Sequence, residues 1–187
     1  EPGVSSSDDV ATVTLESRST ENVQMWTGSS DEIGSFSDLE DVNEAINEGT
    51  LTQSSEIAVG DLAVHQIQVT GLEGRLDARA NEDVTSNFFQ AEGGAKGPNN
   101  GPNPINLTIE EADPGANQGA EEINLSAANT TVIADGPSDT YFVSVDTGDL
   151  EFGHDGGDKT ALPNDDDTAL ETNFTILSDD GVGFDFT

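Results

Sequence analysis

The chain has 187 residues, 38 of them acidic against 5 basic, for a formal charge of −33 at neutral pH. That balance excludes nucleic acid or an anionic membrane surface as a partner held by charge. The length allows one domain or two small ones, and 33% apolar residues are few but enough for a β-rich core.

The acidity is even along the chain, with 19 carboxylates before Gly93 and 19 from Gly93 onward. Short regular runs of Val, Ile, Leu and Phe accompany it, which sets the chain apart from a disordered acidic tail. At ordinary ionic strength the Debye length is roughly 8–10 Å, and carboxylates this dense repel one another. Near 1 M salt it falls to about 3 Å and most of that penalty disappears. With lysine only at positions 96 and 159, the composition is that of a protein adapted to brine. The alternative is an ordinary acidic extracellular or calcium-binding domain. Cysteine is absent, which excludes disulfides and thiolate metal sites. No run of 18 apolar residues is present, so no membrane-spanning helix is expected. The start at Glu1, without Met or an apolar leader, reads as a processed mature form or an excised ectodomain.

Taken in order, Val10–Leu15 and Asn22–Trp26 alternate as strands, with Ser17–Glu21 as a hairpin turn between them. One short surface helix is predicted over about 38–48. Ser37 and Glu40 have capping-box spacing, Leu39, Val42, Ala45 and Ile46 share a face, and Gly49 supplies the stop. Glu40, Asp41, Glu44 and Glu48 form its solvent side. Ile57–Leu72 reads as one or two strands interrupted at Gly60-Asp61, with Val64, His65, Ile67 and Val69 as packing residues. Residues 93–104 are a Gly/Pro/Asn run that cannot hold regular structure. Beyond it, Ile105–Ile109, Ile123–Leu125, Thr131–Ile133, Thr140–Val145 and Thr172–Leu177 alternate with period two. The reading is mainly β, an immunoglobulin-like β-sandwich. Its organisation is an N-terminal β-rich half, 1–92, then a loop or linker, 93–104, and a C-terminal half, 105–187, as one domain or two. The alternating apolar residues of Gly181–Phe186 suit a last strand paired within its own domain, or one donated to a neighbour.

Chemistry-bearing residues are sparse. No nucleophile-elbow motif accompanies either histidine. His65 lies in an apolar strand and reads as a packed residue, and His154 as part of a solvated turn. One Trp and one Tyr supply little wall for a sugar cleft, so hydrolysis of glycosides is not expected. The oxygen-rich loops holding Asp155 and Asp158, Asp165, Asp166 and Asp167, and Asp179-Asp180 are candidates for Ca²⁺ or another hard cation. None fits the EF-hand pattern, and no cofactor is required. Four Asn-x-Ser/Thr sequons start at Asn106, Asn124, Asn129 and Asn173. In three of them the middle residue is apolar, which in a strand turns the Asn and the hydroxyl toward solvent together. Asn106 and Asn173 are the better candidates for N-linked glycans.

Several ordered stretches resemble a module of large haloarchaeal secreted surface proteins, S-layer-type surface glycoproteins among them. They are Trp26–Ile33, Val42–Thr52, Gly60–Ile67, Thr70–Gly74 and Asp139–Asp146, and the likeness runs from about Asp8 to Phe174. The resemblance implies an extracellular, cell-surface location, sandwich modules strung along a surface protein, and a structural or adhesive role without catalysis. The expected function is therefore a non-enzymatic module that contacts copies of itself or other surface proteins in a layer or filament. Strand edges near Val10–Leu15 and Val182–Phe186 are candidate contact sites. The alternative is an adhesion, carbohydrate-binding or protein-binding module using residues 93–104 and the rings of Phe88 and Phe89.

Overall fold

A computed structural model describes residues 19–77, 83–92, 105–154, 157–163 and 168–176. They form two five-stranded sheets in which every pairing is antiparallel. The mainly β reading therefore holds. The first sheet runs β2(Thr52–Gln53), β1(Ser19–Gly28), β3(Leu62–Thr70), β7(Thr140–Asp146), β6(Thr130–Asp135). The second runs β10(Leu170–Ile176), β4(Ile105–Glu111), β5(Glu122–Ile123), β8(Glu151–Gly153), β9(Thr160–Ala161). Strands from both sides of residues 93–104 share the first sheet.

The inner faces of the two sheets meet in one apolar cluster. Ala63, Ile67, Tyr141, Val143 and Val145 of the first sheet pack with Ile105, Leu107, Ile109, Ile123, Phe152 and Phe174 of the second. The outer face of the first sheet is also covered. Helix α1(Leu39–Glu48) brings Val42 and Ala45 onto Leu62, Val64, Ile133 and Phe142. This three-layer arrangement explains β7. From Thr140 to Val145 every residue is buried, because Tyr141, Val143 and Val145 face the second sheet while Phe142 faces α1.

The start of α1 differs from the sequence reading by one residue. Asp38, not Ser37, is the N-cap, accepting hydrogen bonds from the amides of Glu40 (2.9 Å) and Asp41 (3.2 Å). The reciprocal member of the box is Asp41 rather than Glu40. Ser37 donates to the Asp41 carboxylate from its amide and its hydroxyl, each at 2.8 Å, and these bonds hold that carboxyl below its usual range. Gly49 ends the helix at φ 78°, as expected.

Two further helices join the one expected, α2(Glu73–Asp77) and α3(Val84–Glu92). Leu72, Leu76 and Phe88 tuck into the inter-sheet cluster, and the ring of Phe88 stacks on Phe174 at a centroid distance of 6.4 Å. Phe88 is thus a core residue and not an exposed binding ring, while Phe89 is half-buried against the same cluster. The turn expected at Ser17–Glu21 is partly strand. Ser19 and Thr20 pair with Thr70 and Val69, and an irregularity between Thr20 and Asn22 absorbs Glu21. Ile57 lies before β3, and Gly60 with φ 98° makes the turn into it, where Thr147 accepts from the Gly60 amide at 2.8 Å and donates to the Asp61 carbonyl at 2.7 Å.

Candidate functional site

The site with the clearest chemistry is the outer face of β4 and β10. Their register sets Asn106 opposite Thr175, Leu107 opposite Phe174, and Thr108 opposite Asn173. Leu107 (3% exposed) and Phe174 (7%) point into the core, so the pleat turns both Asn residues and both hydroxyls outward. Asn106, Asn173 and Thr175 are exposed. Two sequons running in opposite directions on adjacent strands thus share one surface patch. Asn106 and Asn173 are diagonal neighbours, about 7–8 Å apart for such a pair. Within the second sequon the Thr175 hydroxyl donates to Asn173 Oδ1 at 3.3 Å.

The other two sequons fold into each other. Asn129 Oδ1 accepts from the Ser126 amide at 2.9 Å and the Thr130 hydroxyl at 3.0 Å, and its Nδ2 donates to the Asn124 carbonyl at 2.9 Å. Its amide closes this loop, so Asn129 lacks the free presentation of Asn106 and Asn173. The middle residue Thr130 is buried. Asn124 is exposed, but its partner hydroxyl on Ser126 is 3.3 Å from Asn129 Oδ1.

Two residues further along the strands, the same outer face carries a row of carboxylates. Glu110 stands opposite Glu171 on β10 and opposite Glu122 on β5. Like charges in direct cross-strand positions repel, and salt screens that repulsion. Of the cation candidates, Asp158 is exposed, and Asp155, Asp165, Asp166, Asp167, Asp179 and Asp180 lie outside the described residues. Among the described residues no three His, Asp or Glu side chains converge to hold a metal ion. His154, half exposed, lies 3.8 Å from Glu121.

Sheet edges decide where a neighbouring strand can add. The edge strands β2 and β9 have two residues each. The edge of β6 is occupied where the Val132 amide donates to Thr85 of α3 at 2.9 Å. The seven-residue β10 is the long edge among the described residues, and it carries the Asn173 sequon. The segments Val10–Leu15 and Val182–Phe186, expected as contact edges, lie outside the described residues. No described helix is long and apolar enough to cross a membrane.

No family model and no solved structure matches the chain. Curated proteins do. It is 36% identical over 181 residues to a cell surface glycoprotein of Haloferax gibbonsii, covering 95% of this chain and 19% of that protein. It is 34% identical over 198 residues to cell surface glycoprotein 2 of Haloarcula hispanica, covering 96% of this chain and 20% of the relative. With cell surface glycoprotein 1 of the same organism it shares 35% identity over 193 residues, again 96% and 20%. The chain spans about a fifth of the length of the curated relatives it matches. The extracellular, cell-surface location expected from the sequence agrees with these relatives. Along nearly its whole length, the chain is similar in sequence to a segment of these haloarchaeal cell surface glycoproteins.

Proposed function

We propose that the chain is a non-enzymatic structural module of a haloarchaeal cell-surface protein that displays N-linked glycans on one sheet face and assembles with like modules into a surface layer or filament in high salt. The observation that carries this reading is the crossed sequon pair on β4 and β10, with both asparagines outward on a rigid sheet and both apolar middle residues locked in the core. Such a face suits display, because the core residues fix the orientation of whatever is attached. The antiparallel two-sheet sandwich supports the immunoglobulin-like reading, and the names of the relatives support the glycans and the location.

The charge sets the conditions under which copies can assemble. At −33 overall, two copies approach only where bulk ions screen them or divalent ions bridge them. Light scattering of the purified chain from about 0.2 to 4 M salt, with and without calcium, tests this. Growth in mass with salt or calcium supports assembly, and a monomer at every condition refutes it for this module. An adhesion module is the second reading, and the burial of Phe88 takes away one of the two rings it relied on.

A further inference from the structure

The two outer faces of the sandwich differ in charge. The outer face of the second sheet carries Glu110, Glu122 and Glu171 beside the sequon asparagines. On the first sheet, Ala63, Ile67 and Val69 of β3 point into the inter-sheet core and Leu62 and Val64 meet α1, so Gln66, Gln68 and Thr70 are outward beyond the helix. The register with β1 sets Gln24 opposite Gln66, Asn22 opposite Gln68 and Ser19 opposite Thr70. Ser19, Asn22 and Gln68 are exposed, and Gln24, Gln66 and Thr70 are half-buried. None of these six residues is ionisable, in a chain with a formal charge of −33. Trp26 holds one end of the face, its indole Nε1 donating to Gln66 Oε1 at 2.9 Å, and the Ser19 and Thr70 hydroxyls lie 3.2 Å apart at the other. Glu21, at the irregularity of β1, and Asp135 on β6, two strands away from Gln68, stand at its margins.

We infer that this amide face, within the assembly reading above on which it rests, is where two copies of the chain meet, the same face on each, related by a twofold axis. A carboxamide donates and accepts at once, so a face built of them complements its own image without opposite charges. Two acidic chains come together there without pressing carboxylates against carboxylates, as a contact through Glu110, Glu122 and Glu171 requires. Asn106 and Asn173 project from the other side of the sandwich, so glycans there leave this face clear. A sugar as occupant lacks a free stacking ring, because Trp26 is itself packed against the cluster under α1. The face is small, so each contact is weak alone and gains from repetition in an array.

The test is light scattering of the full chain in about 3 M salt at up to about 1 mM protein, with NMR of the side-chain amides on the same samples. The expected result is a mass that rises with concentration and amide signals of Asn22, Gln24 and Gln68 that move with it. Gln24→Glu combined with Gln68→Glu weakens association about tenfold, while the charge-matched pair Thr160→Glu and Ala161→Glu, exposed on β9, leaves it unchanged. Undiminished association of a folded Gln24→Glu/Gln68→Glu chain, or amide signals that stay still as the mass rises, overturns the inference and leaves assembly through another surface standing. A wild-type monomer at every concentration and salt overturns both. Amide signals that move with added maltohexaose, and not on concentrating the chain, assign the face to sugar and overturn the inference too. The concentration series on the wild-type chain stands even if a variant does not fold.

Discussion

Asn106 on β4 and Thr175 on β10 face each other directly across the sheet, so the first residue of one sequon is paired with the last residue of the other. The same register pairs Thr108 with Asn173. Both acceptor side chains therefore project from one patch, while Asn129 is tied into a loop by its own amide. Glycopeptide mass analysis of the native protein is expected to find glycans on Asn106 and Asn173 and none on Asn129. Unmodified Asn106 and Asn173 peptides from native material remove the display role.

Alternation along β4 separates surface from core over single steps. Leu107→Ala deletes a buried side chain between the sheets and is expected to cost about 2–4 kcal/mol. Asn106→Gln, one residue earlier and exposed, is expected to change stability by less than about 0.5 kcal/mol. Chemical denaturation of both variants at one salt concentration gives the comparison, and similar costs contradict the assigned faces.

The carboxylate row predicts a salt-dependent gain. Glu110 lies between Glu122 and Glu171, so Glu110→Gln relieves two cross-strand repulsions at once. Stabilisation of about 0.5–1 kcal/mol is expected at low salt, shrinking toward zero above about 1 M as screening closes in. Thermal melts across a salt series read this directly. A gain that persists unchanged in high salt shows that repulsion is not its source.

His65 makes a pH prediction of definite sign. Burial holds its imidazole near 4 in the folded chain against an ordinary 6.5, so the unfolded chain binds a proton there first as pH falls. The associated stability is complete above about 6.5 and is lost as pH drops toward about 4. The gap corresponds to about 3 kcal/mol for this group. Because acid also neutralises surface carboxylates, which works in the opposite direction, the quantity to measure is the difference between wild type and His65→Phe at pH 7.5 and at pH 4.5. The wild-type chain should lose about 2–3 kcal/mol more than the variant, and parallel pH profiles contradict the buried neutral state.

Period-two alternation made β4, β7 and β10 legible, because Leu107, Val143 and Phe174 mark the core at fixed intervals. The capping residue of α1 was harder. Ser37, Asp38, Glu40 and Asp41 offer two interleaved boxes, and only the hydrogen bonds distinguish them. Helix α3 has little local signal, because Val84-Thr85-Ser86-Asn87-Phe88-Phe89 favours strand by local preference. Burial of Phe88 against Phe174 overrides that preference, and the available local signal was Asp83, whose carboxylate accepts from the Ser86 amide at 2.8 Å. The sequon spacing was visible, but its crossing was not, since register between Asn106 and Thr175 depends on a pairing 69 residues apart.

Cryo-electron tomography of native cell envelopes kept in high salt tests the structural role most directly, with antibody labelling of this module to locate it. The prediction is labelled density repeating at a fixed spacing within a surface layer or along a filament, lost when salt is lowered. Label found only on dispersed, unassembled molecules at every salt concentration contradicts it.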